Sequence, residues 1–119
     1  MLSDVDHSGR TIITTPHGGG PLAVRAFPEL EVLLSIDPPS SDEFWDYTAC
    51  FGSEDLIVNK LIGPGERLVA IDLKGEVHDL AEQDQGWLIP ASDDTWLSAT
   101  RTTIRRRRLA LSYQQQYHW

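Results

Sequence analysis

The sequence predicts an α+β fold: a mostly antiparallel sheet with a few short helices on one side, in a single compact domain over residues 1–119. Three observations support this prediction. Pairs of segments with alternating polarity flank turn residues, which is typical of antiparallel hairpins. Two other segments begin with residues that cap helices and contain no glycine or proline. Hydrophobic residues make up 40% of the chain and charged residues 24%, as in ordinary globular proteins.

Three strands are predicted in the first third of the chain. Residues 1–9 are polar and are expected to be flexible. The β-branched segment 11–15 and the alternating segment 22–27 flank a turn rich in glycine and proline, so we expect them to pair as a hairpin. The apolar segment 30–36 is predicted to be the third strand.

Two helices are predicted from capping signals. Ser40 followed by Glu43 fits a capping box, and the helix that starts there is expected to end at Gly52. Ser92 and the two aspartates after it favour a second helix start, with arginines toward the far end, where the helix dipole favours cations. The threonines that follow favour a strand instead, so the structure beyond Arg105 is left open.

The middle of the chain combines one open choice with the clearest hairpin. Segment 53–61 begins like a helix but contains the apolar run 56–58, which suits a buried strand equally well. Residues 67–73 alternate between two faces, a lysine-glycine turn follows, and residues 76–80 return, so the two segments are predicted to form a hairpin. A short strand is predicted at residues 87–90.

The charge on the chain is divided between two parts. Residues 1–100 hold all 18 carboxylates against five basic residues, a formal charge of −13. The basic C-terminal segment, residues 101–119, holds five arginines and no carboxylate, a formal charge of +5. Either the arginines neutralise the acidic surface of their own chain, which is the favoured interpretation, or each part faces a partner of opposite charge. The arginines are Arg101, Arg105, Arg106, Arg107 and Arg108.

Composition also narrows the class of protein. A net charge of −8 disfavours direct nucleic-acid binding by the acidic body. The apolar runs are too short to cross a membrane, and residues 1–20 lack the basic and apolar pattern of a secretory signal. Cys50 is the only cysteine and is predicted to be a buried, inert thiol. The expected compartment is the cytoplasm.

No complete catalytic motif stands in this sequence. His17 and the three glycines after it resemble an oxyanion loop, but no serine has the context of a nucleophile elbow, so we predict a turn. His78 could meet Asp72 and Asp79 across the predicted hairpin. A metal site or an acid–base pair is one interpretation there, and ordinary surface polarity is the favoured one. No cofactor and no metal are predicted.

Part of the chain resembles a known family. A hairpin with an aspartate and a turn glycine runs from Leu68 to His78, and an acidic loop, Gly86-Trp87 and Asp94-Thr95-Trp96-Leu97 follow it. This segment resembles the C-terminal half of the SUKH superfamily. The resemblance implies a bacterial immunity protein that neutralises a polymorphic toxin, often a nuclease. The N-terminal half departs from the family pattern because it lacks the leading helices.

The function that we favour is a non-enzymatic acidic protein-binding module, as a monomer or homodimer. It would be an inhibitor or immunity protein that neutralises a cationic nuclease or nucleic-acid-binding protein, with no membrane contact. Dense negative charge would speed encounter with the basic partner, and carboxylates would then bind its arginines and lysines. The predicted contact set lies in one short stretch and consists of Asp42, Glu43, Trp45, Asp46, Tyr47, Glu54 and Asp55.

Two other classes of function stay open. The chain could be a structural or adaptor component of a larger assembly, of the phage or virion type, that docks through its basic C-terminal segment. It could also be a small enzyme with a site near His78. Self-association that dissolves as salt rises would favour the assembly class.

Overall fold

The structure, a computed structural model, describes residues 1–53, 55–81, 83 and 86–109. These residues form twelve β-strands in three antiparallel sheets, with no helix among them. The predicted α+β class is therefore wrong, and the described fold is all-β. Nothing in these ranges forms a helix long and apolar enough to span a bilayer.

The first sheet is a four-stranded antiparallel meander. It contains β1 (Leu2–Val5), β2 (Thr11–Thr14), β3 (Leu22–Ala26) and β4 (Val32–Ile36), in that spatial order. The predicted hairpin and third strand are present as β2, β3 and β4. Residues 1–9, which are expected to be flexible, include β1, whose backbone pairs with β2.

The central sheet contains the longest strands. Its order is β5 (Phe44–Trp45), β7 (Leu56–Ile62), β8 (Glu66–Asp72) and β9 (Val77–Asp79). A further strand, β6 (Cys50–Ser53), also pairs with β7. Since β8 pairs with β7 along its whole length, β5 and β6 lie end to end along the opposite side of β7. The predicted hairpin of residues 67–73 and 76–80 is present as β8 and β9.

The third sheet is a three-stranded antiparallel meander. It contains β10 (Trp87–Pro90), β11 (Trp96–Ala99) and β12 (Ile104–Arg107). The strand predicted at residues 87–90 is confirmed as β10. The backbone N–H of Thr100 donates to the carbonyl of Thr103 at 2.8 Å and closes the turn between β11 and β12.

The three sheets form layers, with the hairpin β7–β8 in the middle. One face of this hairpin packs against the first sheet, and the other packs against the third sheet. Burial on both faces explains the continuous apolar run of β7, which alternation alone could not assign to a strand. The inward side chains toward the first sheet are Ile57, Leu61, Val69 and Ile71, and those toward the third sheet are Leu56, Val58, Leu68 and Ala70.

The helix predicted from Ser40 to Gly52 is wrong. Phe51 packs toward the first sheet while its neighbour Cys50 packs toward the third, so side chains alternate between two layers as they do in a strand. Ser40 does bond to Glu43, with its hydroxyl 3.0 Å from the Glu43 Oε1, but this contact lies within a turn. Of the undecided segment 53–61, Ser53 ends β6 and residues 56–61 lie in β7, while Glu54 lies outside the described residues.

The helix predicted after Ser92 is also wrong. Trp96 is buried against the central sheet, whereas its strand neighbour Leu97 points to the opposite face and is half-buried. Asp93 accepts a hydrogen bond from the backbone N–H of Thr95 at 3.2 Å, which makes a turn before β11. Serine and aspartate are favoured both in helix caps and in turns, so this signal could not discriminate between them.

Two buried polar side chains connect the layers. Asp4 of the first sheet accepts the Phe51 N–H of the central sheet at 2.8 Å and the Ser92 hydroxyl at 2.9 Å. Lys60 of the central sheet donates from Nζ to the carbonyl of Gly86, which precedes the third sheet, at 2.6 Å. Because buried polar groups need partners, these bonds hold the sheets in one relative arrangement.

Candidate functional site

Trp45, a predicted contact residue, lies in the hydrophobic core. Its side chain is fully buried, and its Nε1 donates to the carbonyl of Ile36 at 3.0 Å. A buried ring with a satisfied N–H stabilises the fold and is not offered to a partner. The expectation that Trp45 anchors a complex is therefore wrong.

Glu43, a second predicted contact residue, is held within the chain by Arg67. Its two carboxylate oxygens accept from Arg67 Nε at 2.9 Å and from Nη2 at 3.1 Å. Arg67 also pairs with Asp79 at 2.6 Å. The Arg67 guanidinium, with the Ser40 hydroxyl, keeps the pKa of Glu43 below its usual range. This carboxylate is already neutralised, so it cannot neutralise a partner without breaking a bidentate pair.

The other predicted contact residues are closer to the surface. Asp42 is exposed and accepts from the Ser40 hydroxyl at 2.6 Å, and Asp46 accepts from the Tyr47 N–H at 2.8 Å. The Tyr47 ring is 46% exposed and lies 5.7 Å from the His17 ring. Asp55 is half-buried. The structure thus leaves a smaller acidic surface here than the sequence predicts.

His78 does meet Asp72, as the sequence predicts, but Asp79 pairs with Arg67 instead. His78 Nε2 lies 3.0 Å from Asp72 Oδ2 and 4.0 Å from the Glu76 carboxylate. Within the described residues, these three side chains form a cluster with metal-ligand spacing. Burial raises the pKa of Asp72, but hydrogen bonds from His78 and from two backbone N–H groups outweigh it and lower the pKa overall. The contact is accounted for as a cross-strand bond that closes the hairpin.

Cys50 is buried, as predicted from the sequence. Burial, with a smaller contribution from the Asp4 charge, raises the pKa of the thiol. A protonated and inaccessible thiol is unreactive, so this cysteine belongs to the packing of the core.

The outer face of the third sheet exposes an apolar patch, which we call the third-sheet surface. It consists of Trp87, Ile89, Leu97 and Ile104. Trp87 is 65% exposed, Ile104 is 71% exposed and Ile89 is 40% exposed. Strand register places Trp87, Ala99 and Ile104 in one row across the sheet. Exposed tryptophan and isoleucine in one row form a contiguous patch, which is distinct from scattered apolar residues.

Five arginines lie in the third sheet and next to it, on both of its faces. Arg106 lies on the same face as Leu97, pairs with Asp93 at 3.1 Å and donates to the Thr95 hydroxyl at 2.7 Å. Arg107 lies on the inner face, with its guanidinium carbon 5.7 Å from the Trp96 ring centroid. The exposed side chains of Arg101, Arg105 and Arg108 complete the set. Five arginines against two aspartates give residues 86–109 a formal charge of +3.

A second apolar patch lies on the first sheet, and we call it the hairpin surface. It consists of Phe27, Leu30, Val32 and Leu33, each about half exposed, with Glu29 and Glu31 exposed between them. Leu30 adopts a positive φ of 67° at the turn, where glycine would be less strained. A β-bulge at Leu33 brings two consecutive apolar residues of β4 to the surface.

Neither surface was predicted from the sequence, although a local signal was present for the third-sheet surface. In β10, exposed Trp87 and Ile89 alternate with buried Leu88, which is the pattern of a strand with two apolar faces. A strand in the middle of a fold has the same pattern, so the sequence does not indicate which face stays uncovered.

Comparisons with known proteins show no relationship: no family model matches the chain, and no match was found among curated proteins or solved structures. The resemblance to the SUKH superfamily therefore stays a prediction.

Proposed function

We propose that this chain is a non-enzymatic protein-binding module and that the third-sheet surface is its docking face. The observation that carries the proposal is the exposure of Trp87 and Ile104 on the same sheet face, on either side of Ala99. Tryptophan and arginine are the residues enriched at interface hot spots, and this surface combines them. A flat apolar centre within a charged rim is the usual anatomy of a protein interface.

The partner that fits this surface is an acidic protein with exposed apolar residues. Residues 86–109 carry a formal charge of +3, and the exposed Arg101 and Arg108 lie in the turn before β12 and directly after β12. Carboxylates of the partner would bind these arginines, while apolar side chains would cover Trp87 and Ile104. This chemistry corresponds to the adaptor or assembly class of function. Docking through the basic C-terminal segment is part of that class.

A second candidate function is the acidic inhibitor or immunity protein that neutralises a cationic partner in the cytoplasm. The specific observation in its favour is the hairpin surface, where Glu29 and Glu31 stand among exposed apolar residues. The −13 charge of residues 1–100 would steer a basic protein toward this region. Glu43 and Trp45 are withdrawn from the contact set, because one is ion-paired and the other buried.

The test uses two double variants of the full chain, each of which replaces two exposed apolar side chains by serine. In Trp87→Ser/Ile104→Ser the third-sheet surface loses its centre. In the control, Leu2→Ser/Leu73→Ser, exposed leucines are removed elsewhere. A partner captured from the native host by the wild-type chain is purified, and its affinity for each variant is measured by calorimetry.

We expect the first variant to bind the partner at least about tenfold more weakly and the control to bind like the wild type, because hot-spot truncations typically cost this much or more. Equal affinity for all three proteins would refute the docking face. If only a Glu29→Arg/Glu31→Arg variant lost affinity, the inhibitor function would replace the adaptor function.

A further inference from the structure

We infer that the third-sheet surface binds the hairpin surface of a second copy of this chain, so that copies associate head to tail. The inference rests on the proposed function, since it names the occupant of the proposed docking face. The molecule exposes two apolar surfaces, and monomeric proteins rarely expose large apolar patches that have no binding role.

The two surfaces have opposite charge. The third sheet and its turns carry five arginines and two aspartates; Arg107 lies on the inner face and Arg106 is paired with Asp93. The hairpin surface carries Glu29 and Glu31 against one basic residue, Arg25, which lies opposite Val32. Each surface has apolar residues among its charges, so contact would bury the apolar residues and pair the charges at the rim.

The hairpin surface is also held in a fixed shape before any contact is made. The Leu30 N–H donates to the Ala26 carbonyl at 2.8 Å, and Arg25 Nη1 donates to the Leu30 carbonyl at 3.1 Å. These bonds hold a leucine in a left-handed conformation at the turn, although about half of Leu30 stays exposed there. A braced, exposed apolar turn loses little conformational freedom on binding.

The layered fold determines the symmetry of the association. The first and third sheets pack on opposite faces of β7–β8, so the hairpin surface and the third-sheet surface of one molecule lie on different layers. The hairpin surface of a molecule therefore cannot cover the third-sheet surface of the same molecule. Two different surfaces in contact make a heterologous interface, which leaves one of each unoccupied and allows a chain or a closed ring to grow.

The test is a charge exchange measured by analytical ultracentrifugation at low salt, about 20 mM, and at high salt, about 500 mM, where screening weakens rim pairs. The first variant is Glu29→Arg/Glu31→Arg, which makes the hairpin surface basic. The second variant is Arg101→Glu/Arg108→Glu, which makes the third-sheet rim acidic. All four positions are exposed, and circular dichroism with urea unfolding checks that both variants fold like the wild type.

We expect the wild type to form oligomers at low salt and each variant alone to have at least a tenfold weaker association constant. Mixing the two variants should restore association, because the basic hairpin surface of the first meets the acidic rim of the second, and the unchanged surfaces of each also match. Recovery on mixing cannot arise from misfolding of either variant.

Three results would overturn the inference. The wild type could be monomeric at every salt concentration, or the variants could associate as strongly as the wild type, or their mixture could stay monomeric. A monomeric wild type that associates after Tyr117→Ser/Trp119→Ser would instead assign the surface to the chain's own C-terminal residues. None of these results removes the proposed function, which fails only when a host partner binds the Trp87→Ser/Ile104→Ser variant at full affinity.

Discussion

Replacing Asp4 tests how the three layers are held together. The Asp4 carboxylate accepts from the N–H groups of Phe51 and Val5, each at 2.8 Å, and from the Ser92 hydroxyl at 2.9 Å. These donors belong to the central sheet, to β1 itself and to the loop before β11. Asp4→Ala would remove the carboxylate that accepts from the buried Phe51 N–H.

The expected loss follows from the burial of each donor. An unpartnered buried N–H costs about 1–3 kcal/mol, whereas the Val5 N–H and the Ser92 hydroxyl lie near the surface and can bond to water. We therefore expect Asp4→Ala to lower the free energy of unfolding by about 2 kcal/mol. With an m value of roughly 1.5 kcal/mol/M, the urea midpoint would fall by about 1.3 M. Asp4→Asn keeps one acceptor for Phe51 and should lose about half as much.

The pH dependence of stability gives an independent check. Burial raises the pKa of Asp4, and its hydrogen bonds only partly offset this effect. The folded state therefore holds the proton more tightly than the unfolded state, so the contribution of Asp4 to stability is complete below its unfolded pKa and is lost as pH rises through the folded pKa. The asparagine side chain of the Asp4→Asn variant does not titrate, so the stability of this variant lacks the pH dependence that Asp4 contributes. The stability difference between wild type and Asp4→Asn should therefore shrink as pH rises above about 4.

The assay is urea unfolding followed by tryptophan fluorescence, for wild type, Asp4→Ala and Asp4→Asn, at several pH values from about 3.5 to 7. The reasoning would be refuted if Asp4→Ala unfolded within about 0.5 kcal/mol of the wild type, which is the range of ordinary surface substitutions. A stability difference between wild type and Asp4→Asn that grew with pH would refute the direction of the pKa shift.

Two further pairs of substitutions test the packing, both by urea unfolding. A Cβ on Gly86 would collide with the Ser98 hydroxyl and lie 3.0 Å from the Ala99 carbonyl oxygen, so Gly86→Ala should lower the free energy of unfolding by about 1–3 kcal/mol. Gly65→Ala is the control, because a Cβ there has nothing within 4 Å, and it should leave stability nearly unchanged. Equal losses for the two variants would contradict the close approach at Gly86. Trp45→Ala should cost about 3–5 kcal/mol because the ring is fully buried, and Tyr47→Ala under about 1 kcal/mol, so a reversed order would show that the exposed ring of this pair was misassigned.

Strands with one buried face could be predicted from the sequence. Segment 22–27 alternates and segment 11–15 is β-branched, both next to turn residues, and each forms a strand within two residues of the predicted bounds. Both signals are local, because alternation reports the two faces of the strand itself and the turn is made by adjacent residues. Partners elsewhere in the chain are not needed to interpret them.

The predicted helices are wrong because the capping residues on which they were based occur in turns as well as at helix starts. Ser40 bonds to Glu43 in a turn as it would in a capping box, so the residue pair is correct and the predicted structure is wrong. Packing determines that this segment is a strand, because the adjacent Phe51 and Cys50 pack into two different hydrophobic clusters and only a strand points neighbouring side chains to opposite faces. A central sheet covered on both faces removes the alternation that would have marked its strands.

The candidate site could not be predicted for a related reason. The charge division predicted an electrostatic surface, but ion pairing such as that of Glu43 with Arg67 depends on residues that are 24 positions apart. The exposed Trp87 and the buried Trp45 have similar strand contexts. Their burial differs because one strand lies at the outside of the layered fold and the other in its middle.

The sequence by itself determined the positions of the strands with alternating residues, the division of charge between an acidic body and a basic segment, and the burial of Cys50. These properties depend on composition and on neighbours along the chain. Only the tertiary structure decided which apolar faces are covered, which carboxylates are neutralised and which two surfaces stay exposed. The physical reason is that exposure and ion pairing depend on which sheet packs against which, and the residues that determine this packing lie far apart in the sequence.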